Sequence, residues 1–147
     1  MPSTIEQTIF SWVITCLTGI SIAEGYSFDI DGRVDEWRDV PYEDDALPAI
    51  DVRDPVNSIK MDEAEEEEEY HRYEVEVTLY DSGSVSPASV REKALDILTA
   101  MKQVKDLDGV EHILFLGSDK EIERGAKTYS SVTMRFAVLY YTDYFEI

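Results

Sequence analysis

The sequence predicts an α+β fold, a mainly antiparallel sheet with two helices packed on one of its faces. Three observations carry that prediction. Residues 72–80 alternate apolar and polar side chains, and so do residues 131–143. A period of two marks strands with one buried face. Between them, Ser86-Pro87 supplies the preferred cap and first-turn residues of a helix. Near the N-terminus, apolar residues recur at spacings of three and four, the stripe of an amphipathic helix. Read in order, the chain runs helix, several short strands, long strand, helix, strand, long strand, which suits helices on one side of an antiparallel sheet.

The first helix is expected over about residues 3–19. Ile5, Ile9, Trp12, Val13, Cys16, Leu17 and Ile20 form its stripe. Ser3 with Glu6 fits a capping box, and Gly19 or Gly25 offers a stop. Residues 7–23 are uncharged, yet a signal peptide wants a basic start and the first Lys or Arg is Arg33. Thr8, Ser11, Thr15, Thr18 and Ser21 interrupt the run that a membrane span needs, so a soluble helix is the reading. Phe28, Ile30 and Val34 suggest a short strand broken by Asp31-Gly32. Residues 47–53 read as another, with Pro48 at its start, where a missing N–H does least harm, and Pro55 as its end. A further piece at 58–61 leads through an acidic run into the long strand.

Asp81-Ser82-Gly83-Ser84 reads as a loop. Val90, Ala94, Ile97, Leu98, Met101 and Val104 give the second helix its apolar face, and residues 106–109 end it. Residues 110–116 are apolar on both faces around Ile113, Leu114 and Phe115, which predicts a strand inside the sheet. A polar loop over 117–127 leads into the last strand. No internal repeat or second domain is evident, so residues 1–147 are read as one domain. Tyr80, Phe115, Leu139 and Tyr141 are assigned to the face without helices. An uncovered face with that much apolar area suggests a partner.

Composition narrows the function. A chain of 147 residues with 44% hydrophobic and 11% aromatic content has ordinary domain size and enough apolar mass for a core. Its 32 acidic and 13 basic residues give a net charge of −19. Electrostatic binding to phosphates needs clustered Lys and Arg, so this balance argues against nucleic acid as the target. It suits a basic partner, or a surface that repels DNA. The excess sits in residues 29–69, which hold 17 acidic and 4 basic side chains. Cys16 is the only cysteine, reads as a buried thiol and permits no intrachain disulfide.

The chemical motifs point away from catalysis, cofactors and metals. Asp29 to Glu36 has the look of a calcium loop but lacks a third ligand before Gly32 and the closing Glu. His71 and His112 have no Cys partners and no HxH or HExxH spacing. His112 reads as an ordinary strand position and His71 as a partner for nearby Glu. Ser82, Ser84 and Ser86 lack a nucleophile elbow, and the glycines form no phosphate-binding loop. A carboxylate pair for a nuclease or glycosidase needs acids from different elements in a cleft, whereas here they cluster in loops.

The helix-first layout, the Leu47-Pro48-Ala49-Ile50 opening of a strand, the long strand at 72–80 and the closing Phe136-Ala137-Val138-Leu139-Tyr140-Tyr141-Thr142-Asp143 resemble the tail terminator proteins of long-tailed bacteriophages. The resemblance covers nearly the whole chain. It implies a non-enzymatic virion protein that caps the tail tube as a hexameric ring and ends tail polymerisation. It also implies contacts with the tail tube protein and the head connector, and a channel that DNA crosses without specific binding. An acidic wall would keep phosphates from sticking there. The departure is Asp62-Glu63-Ala64-Glu65-Glu66-Glu67-Glu68-Glu69, which is longer and more acidic than the family's usual connection. It reads as a solvated hairpin tip, as an acidic finger toward a basic neighbour or the channel, or as a cation-binding run, although uninterrupted Glu lacks the turn geometry of a dedicated calcium loop.

On this reading the interface candidates are Arg72 and Arg135 on the long strands, Glu65, Glu66, Glu67, Glu68 and Glu69 in the acidic run, and Lys120, Arg124 and Lys127 in the loop at 117–127. A plain role in surface solubility fits the same cations. The alternative is a small acidic inhibitor, immunity protein or DNA mimic, whose carboxylates would dominate a salt-sensitive interface with a basic partner.

Overall fold

Local sequence decides where each helix starts. The computed structural model describes residues 4–60, 68–83 and 85–147. Helix α1 spans Ile5–Thr18, and the Thr4 hydroxyl accepts a hydrogen bond from the Gln7 N–H at 2.9 Å. The cap is therefore Thr4, one residue later than expected; Ser3 lies outside the described residues. Helix α2 spans Pro87–Met101 and starts as predicted, with Ser86 and Ser89 capping each other's N–H groups. A 3-10 turn over Lys102–Asp106 carries it on.

The sheet contains β1 (Val34–Glu36), β2 (Ala49–Ile59), β3 (Glu68–Ser82), β4 (Val110–Arg124) and β5 (Thr128–Asp143) in the order β1-β2-β3-β5-β4. Only β1–β2 is parallel, so the fold is the predicted α+β arrangement. Tyr73, Val75, Val77 and Leu79 alternate onto one face with Val132, Met134, Phe136 and Val138. Ile9, Val13 and Leu17 of α1 and Val90, Ile97 and Met101 of α2 complete that core.

The strands differ from expectation where backbone irregularity absorbs what looked like a break. Pro55 does not end β2: it falls in a bulge between Arg53 and Val56, where no ladder N–H is needed, and residues 58–59 belong to the same strand. Phe28 and Ile30 are buried but not in a strand, and β1 starts at Val34. Asp81 and Ser82 extend β3 instead of forming a loop. Strand β4 lies at the sheet edge, not inside, and runs through the supposed loop to Arg124. Gly117 permits this by adopting φ +135° at a second bulge, between Phe115 and Gly117. Phe115 faces the helices, 5.5 Å from Phe136, and not the open face. Leu139 is buried on the open face, while Tyr80 and Tyr141 are about one-third exposed there.

One polar node sits inside the helix side. His71 is 1% exposed, stacked on Tyr140 with centroids 4.6 Å apart. The Asn57 amide N–H₂ donates to Glu6 at 2.8 Å and to the Tyr140 hydroxyl at 2.9 Å, which leaves Asn57 Oδ1 for His71 Nδ1–H at 3.0 Å. A neutral ring then accepts from the Thr142 hydroxyl through Nε2 at 2.7 Å. Burial holds the imidazole below its ordinary range, against the opposing pull of Glu69 and Glu6.

Two outcomes follow. Gly117→Ala forces a side chain into a backbone region it rarely adopts, and should lower unfolding free energy by about 1–3 kcal/mol in urea melts. For His71, the unfolded chain holds more protons between the folded and unfolded pKa values, so stability falls as pH drops through the ordinary imidazole range. The urea midpoint of the parent should exceed that of His71→Gln at pH ~8, and the gap should narrow by pH ~5. A gap that stays constant would uncouple the ring's charge from folding.

Candidate functional site

The open face of the sheet is built from charge, strand by strand. Register sets Arg53 of β2 opposite Glu76 of β3, and Glu76 opposite Arg135 of β5. Arg135 reaches Glu76 at 3.4 Å and Asp119 of β4 at 2.8 Å. Arg53 Nε donates to Asp51 at 2.8 Å. These carboxylates raise both guanidinium pKa values, Asp119 leading for Arg135 and Asp51 for Arg53. Arg72 pairs with Glu74 on its own strand at 3.4 Å. Both arginines singled out in the sequence are thus engaged within the chain.

The segment after β1 crosses the end of this face. Tyr42 packs on Tyr80 with ring centroids 5.5 Å apart, and the Arg38 guanidinium lies 4.1 Å from the Tyr42 ring centroid. Tyr42 donates its hydroxyl proton to Asp35 at 2.8 Å; burial and then this bond push its pKa up. A cleft of about 450 Å³ remains between Arg38, Tyr42, Asp51, Arg53 and Tyr80. Its buried Asp51 already accepts from the Arg38 N–H and from Arg53, so the cleft offers no spare carboxylate there. Among the described residues, no group of three or more His, Cys, Asp or Glu is placed to hold a metal ion.

The three cations of the expected loop have separate fates. Lys127, in the β4–β5 turn, pairs with Asp44 at 2.7 Å, and Tyr129 donates to the same carboxylate at 2.9 Å. Those bonds lower the Asp44 pKa and raise that of Lys127. Lys120 and Arg124 are exposed on β4, and among the described residues Lys120 donates to the Ser118 hydroxyl at 3.0 Å. In the acidic run, Glu65, Glu66 and Glu67 lie outside the described residues. Glu68 and Glu69 open β3, and Glu69 accepts the Phe145 N–H at 3.2 Å while standing 4.0 Å from His71.

A second surface had no place in the sequence reading. Along the sheet edge, β4 and α2 leave an apolar groove of about 260 Å³ lined by Leu95, Leu98, Ile113, Phe115 and Phe136. Leu95 is 61% exposed and Phe115 49%. Of the six cations with no ion pair among the described residues, Lys102 lines this groove, and the exposed Arg91 and Glu92 both precede Leu95 on α2. The signal available in the sequence was Leu95, an apolar residue off the stripe of its helix.

Among the described residues, no helix is long and apolar enough to cross a membrane. No protein-family profile and no curated protein matches the sequence. Among solved structures, the chain resembles one from the virion of the native gene transfer agent particle, with a TM-score of 0.50 and 11% identity over 93% of this chain and 95% of that one. At that identity, what the two chains share is their fold.

Proposed function

We propose that this protein is a structural component of a phage-like virion that caps the tail tube as a ring, ends tail polymerisation and forms the head–tail joining surface. The observation that carries the reading is the fold likeness, over nearly the full length of both chains, to a chain of a gene transfer agent virion. Its partners would be further copies of itself, the tail tube protein and the head connector. The −19 charge supports a wall past which DNA slides without binding.

The same charge favours a second reading, an acidic inhibitor or DNA mimic docking on a basic partner. Oligomeric state separates the two. On the first reading, light scattering over a wide concentration range finds a closed six-subunit species. A strict monomer that binds a basic protein, with affinity falling steeply as salt rises, would move the protein to the second.

A further inference from the structure

The turn that follows β5 is tied back onto the buried polar node. Residues 144–147 are exposed, Phe145 almost fully, and Phe145 adopts φ +60°. Hydrogen bonds hold this segment. The Phe145 N–H donates to Glu69 Oε1 at 3.2 Å, and the Ile5 N–H donates to the Ile147 oxygen at 2.8 Å. The Thr142 hydroxyl reaches the Glu146 carbonyl at 3.3 Å, and it also lies 2.7 Å from His71 Nε2. A hydroxyl carries one proton, so Thr142 can donate to the ring or to Glu146 but not to both. Asn57 decides the starting state. Its amide N–H groups are spent on Glu6 and Tyr140, so its Oδ1 keeps a ring proton on Nδ1. A neutral His71 then takes the Thr142 proton at Nε2, and the Glu146 carbonyl goes without it. A protonated His71 instead donates from Nε2 to Thr142, and the hydroxyl proton turns to Glu146.

We infer that His71 and Thr142 form a proton-linked latch, in which charging the buried ring frees the Thr142 hydroxyl for the Glu146 carbonyl and fixes residues 144–147 against the node. Glu69 works in the same direction. Its Oε2 stands 4.0 Å from His71 Nε2 while its Oε1 accepts the Phe145 N–H. A charged ring therefore holds this carboxylate, and the segment with it, in place. The other elements around the ring do not oppose this. Glu6 of α1 favours the charged ring, β2 contributes the uncharged Asn57, and Tyr140 of β5, whose pKa burial pushes up to about 12, stays neutral. Burial resists the charge, but it persists when the segment lifts, because Thr142 stays opposite Glu69 in the ladder and Tyr140 stays stacked on the ring. The docked segment thus raises the ring's pKa relative to the lifted one, and docking strengthens as pH falls through that value. Global stability moves the other way, because burial keeps the folded ring below its unfolded range and the unfolded chain binds the proton more readily still.

Amide exchange in the full chain tests the latch, with NMR signals of the His71 ring supplying its own titration midpoint. Across that midpoint, protection of the Phe145 and Ile5 amides, corrected for intrinsic exchange, should rise about two- to tenfold as the ring gains its proton, the worth of one net hydrogen bond. The urea midpoint should fall over the same range, so the local and global responses have opposite signs. His71→Gln cannot be charged and should abolish the rise. Thr142→Val keeps the branched shape, removes the shared hydroxyl and should reduce the rise. Thermal melts check that both variants fold. Protection that stays flat or falls in the parent as the ring titrates overturns the latch, whatever the variants do. So does a rise that persists in His71→Gln, or one that Thr142→Val leaves at its parental size.

Discussion

The pairing of β3 with β5 governs this molecule. It runs from Glu68 opposite Asp143 to Ser82 opposite Tyr129 without a register shift. Side chains alternate with a period of two, so one register sets both faces at once. Val75 and Phe136 meet under the helices, and Glu76 and Arg135 meet on the open side. A slip of one residue would carry the whole apolar set of one strand to the open face. The irregularities lie in the outer pairings instead, at Arg53/Val56, Val110/His112 and Phe115/Gly117. The centre is fixed and the edges adapt.

Magnitudes divide the labour between the two faces. Each large apolar side chain buried on the helix side stabilises the fold by about 1.5–3 kcal/mol. Exposed ion pairs such as Arg135–Asp119 contribute little by comparison, because water and salt screen them. Stability therefore resides under the helices, and the open face can change its charges at little cost to folding. The exception is the His71–Asn57–Tyr140 node, a polar group of the helix side. Asn57 of β2 reaches Glu6 of α1, and His71 of β3 reaches Thr142 near the end of β5, so this one cluster joins four elements. It costs little because every member finds a partner; a half-satisfied version would be worse than an apolar core.

Where the sequence could be read, one rule dominated locally. Period two exposed β3 and β5, and Ser86-Pro87 exposed the start of α2, because those signals need no knowledge of the neighbours. The order of strands was not legible. Ile113, Leu114 and Phe115 look like an interior strand, but β4 is an edge, with Phe115 turned to α2 and half exposed in a groove. Polar residues 117–124 look like a loop, because an edge strand with one open face needs few apolar residues, here Ile122 against the core. The ion pairs of Arg72, Arg135 and Lys127 were equally hidden, since Asp44 and Lys127 are distant in sequence and meet only through the fold. The groove left one trace, Leu95, and its meaning depended on knowing that β4 lies beside it.

Net charge and local charge pull this chain in opposite directions. At physiological salt, exposed charges more than about 8 Å apart are largely screened, so the −19 total acts mainly as weak repulsion between whole molecules. Contact is decided inside that distance, by the few groups that approach each other. There the average sign is misleading, because most of the described cations already answer acids of their own chain. Folding has sorted part of the charge, pairing Arg53, Arg72 and Arg135 with acids of the open face. A uniformly acidic surface of the same total would repel its own copies from every direction. This one mixes both signs locally, so long-range repulsion filters orientations and short-range complementarity selects among those that remain.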